Sequence, residues 1–72
     1  MAEPLYGVYG ASGFGREVIP LARQVLAETG ESPERLVFVD DGAAGQWVNG
    51  HRVLDFEAFA REPASQRFAV LA

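Results

Sequence analysis

Gly10, Gly13 and Gly15 stand between a short apolar run and a stretch of helical periodicity, and this placement constrains the chain more than any other feature. A strand that turns sharply into a helix leaves unpaired backbone N–H groups at the turn, and the helix dipole adds partial positive charge there. Glycines at these positions let the backbone turn tightly and let an anion approach without meeting a Cβ. The loop from Gly10 to Gly15 therefore reads as a phosphate cradle, with a nucleotide as the natural ligand. Ser12 adds a hydroxyl donor to the same loop. The alternative is a tight turn that holds no ligand.

The surrounding chain reads as alternating strands and helices. Leu5-Tyr6-Gly7-Val8-Tyr9 and Leu36-Val37-Phe38-Val39 are continuous apolar runs of the kind found in buried parallel strands. Between them, Phe14, Val18, Leu21, Ala22, Val25 and Leu26 recur at three- and four-residue steps, which predicts one apolar stripe on a helix from Phe14 to about Glu28. Pro20 interrupts that helix at a cost of about 3 kcal/mol, so an irregular first turn or a kink is expected. Gly30 and Pro33 end it. Asn49-Gly50 marks a tight turn between Trp47-Val48 and His51-Arg52-Val53-Leu54. Asp55 is placed to cap a short helix over Phe56 to Arg61, with Phe56, Phe59 and Ala60 facing inward. Arg67 to Ala72 reads as the start of a buried strand, which suggests the front part of a larger protein. The order predicts an α/β fold, a small Rossmann-like βαβ-βαβ unit with a mostly parallel sheet, cut off within its fourth strand.

Composition narrows the functional classes. With 72 residues the chain makes one small domain, and no cysteine is present to staple it. Ten acidic and six basic residues give a net charge of −4, which argues against a nucleic-acid surface. All six basic residues are arginine, so Schiff-base chemistry and the lysine of a Walker loop are excluded. A single histidine makes a structural zinc site improbable. Neither a signal peptide nor a membrane span is legible, and a cytoplasmic location is the resulting expectation.

The glycine spacing is G-x-x-G-x-G, which differs from the G-x-G-x-x-G dinucleotide fingerprint. It shares its first part with the G-x-x-G-x-x-G of extended reductases, whose third glycine would fall on Arg16. Asp40 ends the second apolar run, 25 residues after Gly15, where a carboxylate in an open α/β sheet lies beside the first loop and can accept from ribose or base. Asp41 is the second candidate, although Asp-Asp-Gly is also good turn chemistry. Arg16 is placed to reach a phosphate, and Glu17 suits a helix N-terminus. His51 reads as a surface or packing residue and Trp47 as a cover over an apolar edge. No nucleophile–base–acid set is visible, so no catalytic residue is assigned.

The run Leu5 to Val18 resembles the opening of the bacterial sugar O- and N-acyltransferases, the group that includes the sialic-acid O-acetyltransferases and the N-acetyltransferases of UDP-4-amino-sugars. Val37-Phe38-Val39-Asp40-Asp41 is similar to their second strand with its double aspartate. Val48 to Leu54 and Phe68 to Ala72 are similar to the segments that follow. The resemblance implies that residues 1–72 form the Rossmann-like domain that holds a UDP-sugar. It places Gly10, Ser12, Gly13, Phe14 and Gly15 at the diphosphate, and Asp40 and Asp41 near the uridine. It also implies a left-handed β-helix of hexapeptide repeats outside this chain, carrying the acetyl-CoA site, the catalytic histidine and the homotrimer contacts. These 72 residues would then bind no cofactor themselves, be inactive alone and be monomeric. Phe14 departs from the family, where histidine is common. Two other readings remain: the front of an NAD(P)-binding oxidoreductase or epimerase, and a ligand-free structural domain.

Overall fold

The four residues Leu36–Val39 are all apolar, so a strand made from them must be covered on both faces. A computed structural model describes residues 3–11 and 13–71, and it places this strand, β2, in the middle of a five-stranded sheet. The other strands are β1 (Leu5–Tyr9), β3 (Trp47–Val48), β4 (His51–Leu54) and β5 (Arg67–Leu71), and the sheet order is β3-β4-β2-β1-β5. β1, β2, β4 and β5 run parallel, while β3 pairs antiparallel with β4 through the Asn49-Gly50 turn. Helix α1 (Phe14–Glu28) connects β1 to β2, and α2 (Phe56–Arg61) connects β4 to β5. The result is the Rossmann-like α/β unit that the order of elements predicts.

Alternation along the strands divides the core in two. Leu36 and Phe38 pack with Val8, Val53 and the α1 residues Ile19 and Leu26 on one face. Val37 and Val39 pack with Leu5 and the α2 residue Phe59 on the other. The two crossovers run in opposite directions across the sheet, so right-handed connections place their helices on opposite faces.

Both helices have the expected limits but bury only some of the residues expected. In α1, Ile19 and Leu26 are buried and Val18 and Ala22 partly so, whereas Phe14, Leu21 and Val25 are exposed. At about 100° per residue, the exposed three lie on a flank roughly a quarter turn from the buried line. Pro20 sits inside an unbroken helix, with Pro20 and Arg16 both on the exposed side, where solvent can reach the carbonyl that lacks a donor. In α2 only Phe59 is buried. Ala60 is exposed, and Phe56 is 54% exposed with its ring 6.2 Å from that of Tyr9. A six-residue helix buries one side chain against the sheet, and Phe59 fills the space left by Gly7, where a Cβ would come within 2.8 Å of its ring.

β5 differs most from the sequence expectation of a buried strand. It is the outermost strand beside β1, and every one of its residues is exposed. Neither helix extends over it, although Phe68 stacks on Tyr6 with ring centroids 5.4 Å apart.

The unequal roles of the two α2 aromatics give a direct check. Phe59→Ala should cost about 3–5 kcal/mol in urea unfolding, while Phe56→Ala should cost less than about 1 kcal/mol. Equal losses would contradict this packing.

Candidate functional site

The glycine loop lies where β1 ends and α1 begins. Gly10 has φ +98° and Gly13 φ +52°, both in the left-handed region that favours glycine. Gly15 is required for space, since a Cβ there would lie 1.8 Å from the Gly10 carbonyl oxygen. The first turn of α1 therefore sits directly against the end of β1. Gly13 is the N-cap residue and provides no side-chain cap, which leaves the start of the helix without a side-chain acceptor among the described residues. Ser12, the hydroxyl candidate of this loop, lies outside the described residues.

Two amides of the loop are already engaged. Gly10 N–H donates to the Val39 carbonyl at 2.9 Å, and Ala11 N–H donates to Asp40 Oδ2 at 2.9 Å. The other Asp40 oxygen, Oδ1, accepts from Gly42 N–H at 3.0 Å. Asp40 thus joins the glycine loop to the end of β2 and closes its own turn, spending both carboxylate oxygens on backbone donors. Asp41 Oδ1 accepts from Phe56 N–H at 2.9 Å, fixing the start of α2, while Asp55 caps the same helix through Ala58 N–H at 2.6 Å. Asp41 itself is exposed.

Arg16 and Phe14 border the loop. Arg16 donates from Nε to the Ala11 carbonyl at 3.3 Å, which places a guanidinium beside the helix start. Phe14 is exposed at the mouth. The glycine loop, Asp40, Asp41 and Arg16 are thus brought to the carboxyl end of the parallel strands, where open α/β sheets place ligands.

His51 is buried rather than superficial, at 5% exposure. Its Nδ1 is 2.8 Å from the Leu36 carbonyl oxygen, and its Nε2 is 3.0 Å from Arg23 Nε and 2.7 Å from Arg23 Nη2. Burial first, and then the Arg23 charge, push its pKa below the ordinary 6.5, with the Leu36 hydrogen bond working in the opposite direction. Two residues before Val53 on β4, it shares that residue's inward face, and this phase was the sequence signal for burial. The pairing with Arg23, 28 residues away, had no local signal. A cleft of about 360 Å³ opens beside this pair, with the exposed Trp47 among its lining residues. No cluster of three metal-ligating side chains occurs among the described residues, and none of their helices is long and apolar enough to cross a membrane.

Two substitutions check the construction of the loop. Asp40→Ala removes two acceptors from backbone amides and should cost about 2 kcal/mol, with faster hydrogen exchange at Ala11 and Gly42. Gly15→Ala should cost about 3 kcal/mol or more, because the obstacle is a backbone carbonyl that cannot turn aside. Wild-type stability in either variant would show that the loop is not held in this way.

No protein-family model matches the chain. GDP-perosamine N-acetyltransferase of Escherichia coli O157:H7 is 42% identical to it over 64 residues, which is 89% of this chain and 29% of that protein. WeeI from Acinetobacter baumannii AYE has the same fold, with a TM-score of 0.89 and 43% identity over 96% of this chain and 32% of that one. The chain thus spans about a third of the length of each. Sequence and fold agree over nearly all of this chain with about a third of each of two bacterial proteins, one of them a sugar N-acetyltransferase.

Proposed function

We propose that residues 1–72 form the nucleotide-sugar-binding domain of a sugar acetyltransferase, with the diphosphate held at the glycine loop. The observation that carries this reading is the start of α1, without a side-chain cap among the described residues, pressed against β1 by Gly15 and flanked by the Arg16 guanidinium. Amides at a helix start together with an arginine suit a diphosphate, whose charge is stabilised by the helix dipole. Gly10, Gly13, Phe14 and Gly15 would shape that contact with Ser12. Asp40 would act by holding the loop, since both its oxygens are engaged, and the exposed Asp41 would offer its carboxylate to the nucleoside.

UDP is the nucleotide implied by the resemblance of the sequence. A GDP-sugar is the second reading, favoured by the name of the 42% identical relative. In the complete enzyme, a sugar amine or hydroxyl would attack the thioester carbonyl of acetyl-CoA, releasing the thiol and giving its proton to a general base. His51 is unsuited to that task, being buried with both ring nitrogens occupied. Base and acetyl-CoA site would lie outside these residues, in a hexapeptide-repeat domain that also builds a homotrimer. The 72 residues alone would then be monomeric and inactive, and the complete enzyme cytoplasmic.

Calorimetric titration with UDP-N-acetylglucosamine, GDP-mannose and NAD⁺ tests this reading. One or both nucleotide sugars should bind, NAD⁺ should not, and Arg16→Gln should weaken binding by about tenfold. Binding of NAD⁺ alone would favour an oxidoreductase, and binding of none would favour a ligand-free structural domain.

A further inference from the structure

His51 is the single buried polar side chain among the described residues, and its partners define its protonation. The Leu36 carbonyl can only accept, so Nδ1 carries the ring proton. The Arg23 guanidinium can only donate, so Nε2 presents its lone pair. The imidazole is therefore neutral. The same Arg23 Nη2 also donates to the Asn49 carbonyl at 2.9 Å. One guanidinium thus clips the middle of α1 to the tip of the β3–β4 hairpin, and it needs a neutral histidine to do so.

Among the described residues no neighbouring charge offers a substitute arrangement. Glu34 lines the adjacent cleft without a hydrogen bond to the ring. Arg35 is engaged with the carbonyls of Pro4, Glu3 and Pro63 and lies 3.7 Å from Glu62. Arg52, next to His51 on β4, pairs with Glu62 at 3.2 Å.

The hairpin is in turn connected to the loop that carries Asp41. Gly45 N–H donates to the Val53 carbonyl at 3.0 Å, Val53 N–H to the Gln46 carbonyl at 2.9 Å, and Asp40 N–H to the Leu54 carbonyl at 2.9 Å. We propose that Arg23, His51 and the Asn49 carbonyl form an acid-labile clip that holds the β3–β4 hairpin and, through β4, the Asp40–Gln46 loop. A proton arriving at Nε2 turns that atom into a donor facing a cation. Arg23 then withdraws and releases Asn49 with it. This holds whatever ligand the loop meets.

The direction with pH follows from the lowered pKa of His51. Above its ordinary value of 6.5 the ring is neutral in folded and unfolded chains alike, and the clip contributes fully. Below 6.5 the unfolded chain takes up a proton that the folded chain resists, so stability falls with pH until the folded ring titrates and the hairpin is released.

NMR of the ¹⁵N-labelled protein between roughly pH 7.5 and pH 4.5 tests the proposal. At the upper end the ring should be the Nδ1–H tautomer. Its midpoint should fall below 6.5, and hydrogen-exchange protection of Gly45 and Val53 should drop by about tenfold, relative to β1, as the ring titrates. Arg23→Gln, at an exposed position, should raise the midpoint and weaken the same amides already at the upper pH. His51→Gln should make their protection independent of pH over this range. An Nε2–H tautomer, a midpoint at or above 6.5, or hairpin protection that ignores the titration would each overturn the clip. The wild-type titration and Arg23→Gln decide the matter even if His51→Gln does not fold.

Discussion

The contact between Gly15 and the Gly10 carbonyl sets the position of everything around the candidate site. A Cβ at residue 15 would overlap the oxygen at 1.8 Å, so only glycine lets α1 start directly against β1. Once the helix starts there, its first-turn amides face the carboxyl end of the sheet. Asp40 at the end of β2 comes within 2.9 Å of Ala11 N–H and holds the loop from the other side. Asp40 carries a negative charge beside a proposed anion site, which would be unfavourable if it were free. Hydrogen bonds from Ala11 and Gly42 spread that charge over the backbone, and Arg16 adds the opposite sign at the loop.

The arginines act largely as struts between backbone carbonyls. Arg35 donates to Pro4, Glu3 and Pro63, Arg67 to Phe59 and Glu62, and Arg23 to Asn49 as well as His51. Each guanidinium ties together segments that β-pairing leaves loose. A lysine ammonium, as a compact point charge on a flexible stem, cannot form the same planar fork. A chain with six arginines and no lysine is consistent with that use, and it gives a small domain cross-links that cysteines do not supply.

The strands, both helices and the hairpin were legible because their signals are local. Apolar runs, three-and-four spacing, Asn49-Gly50 and the Asp55 cap all act within a few residues. Side-chain environment was less legible because it depends on what lies across the sheet. Phe14, Leu21 and Val25 continue an apolar pattern in the sequence, yet they lie on a flank of α1 that no element covers. β5 has the composition of a buried strand and sits at the sheet edge, with Leu71 82% exposed. In the candidate site, the glycine loop and Asp40 were legible as neighbours from their places at strand ends. That Asp40 would spend both oxygens on amides at positions 11 and 42 was not, because one of those bonds spans 29 residues. The Arg23–His51 pair was hidden for the same reason.

We place an anion site at the glycine loop, built from the start of α1. Titrating inorganic pyrophosphate into the ¹⁵N-labelled chain isolates that claim from the identity of sugar and base. Saturable shifts are expected at the amides of Gly13, Phe14 and Gly15, with Gly30 and Gly50 unmoved. Shifts confined to the cleft beside Arg23 and Trp47, or no shifts anywhere, would contradict it.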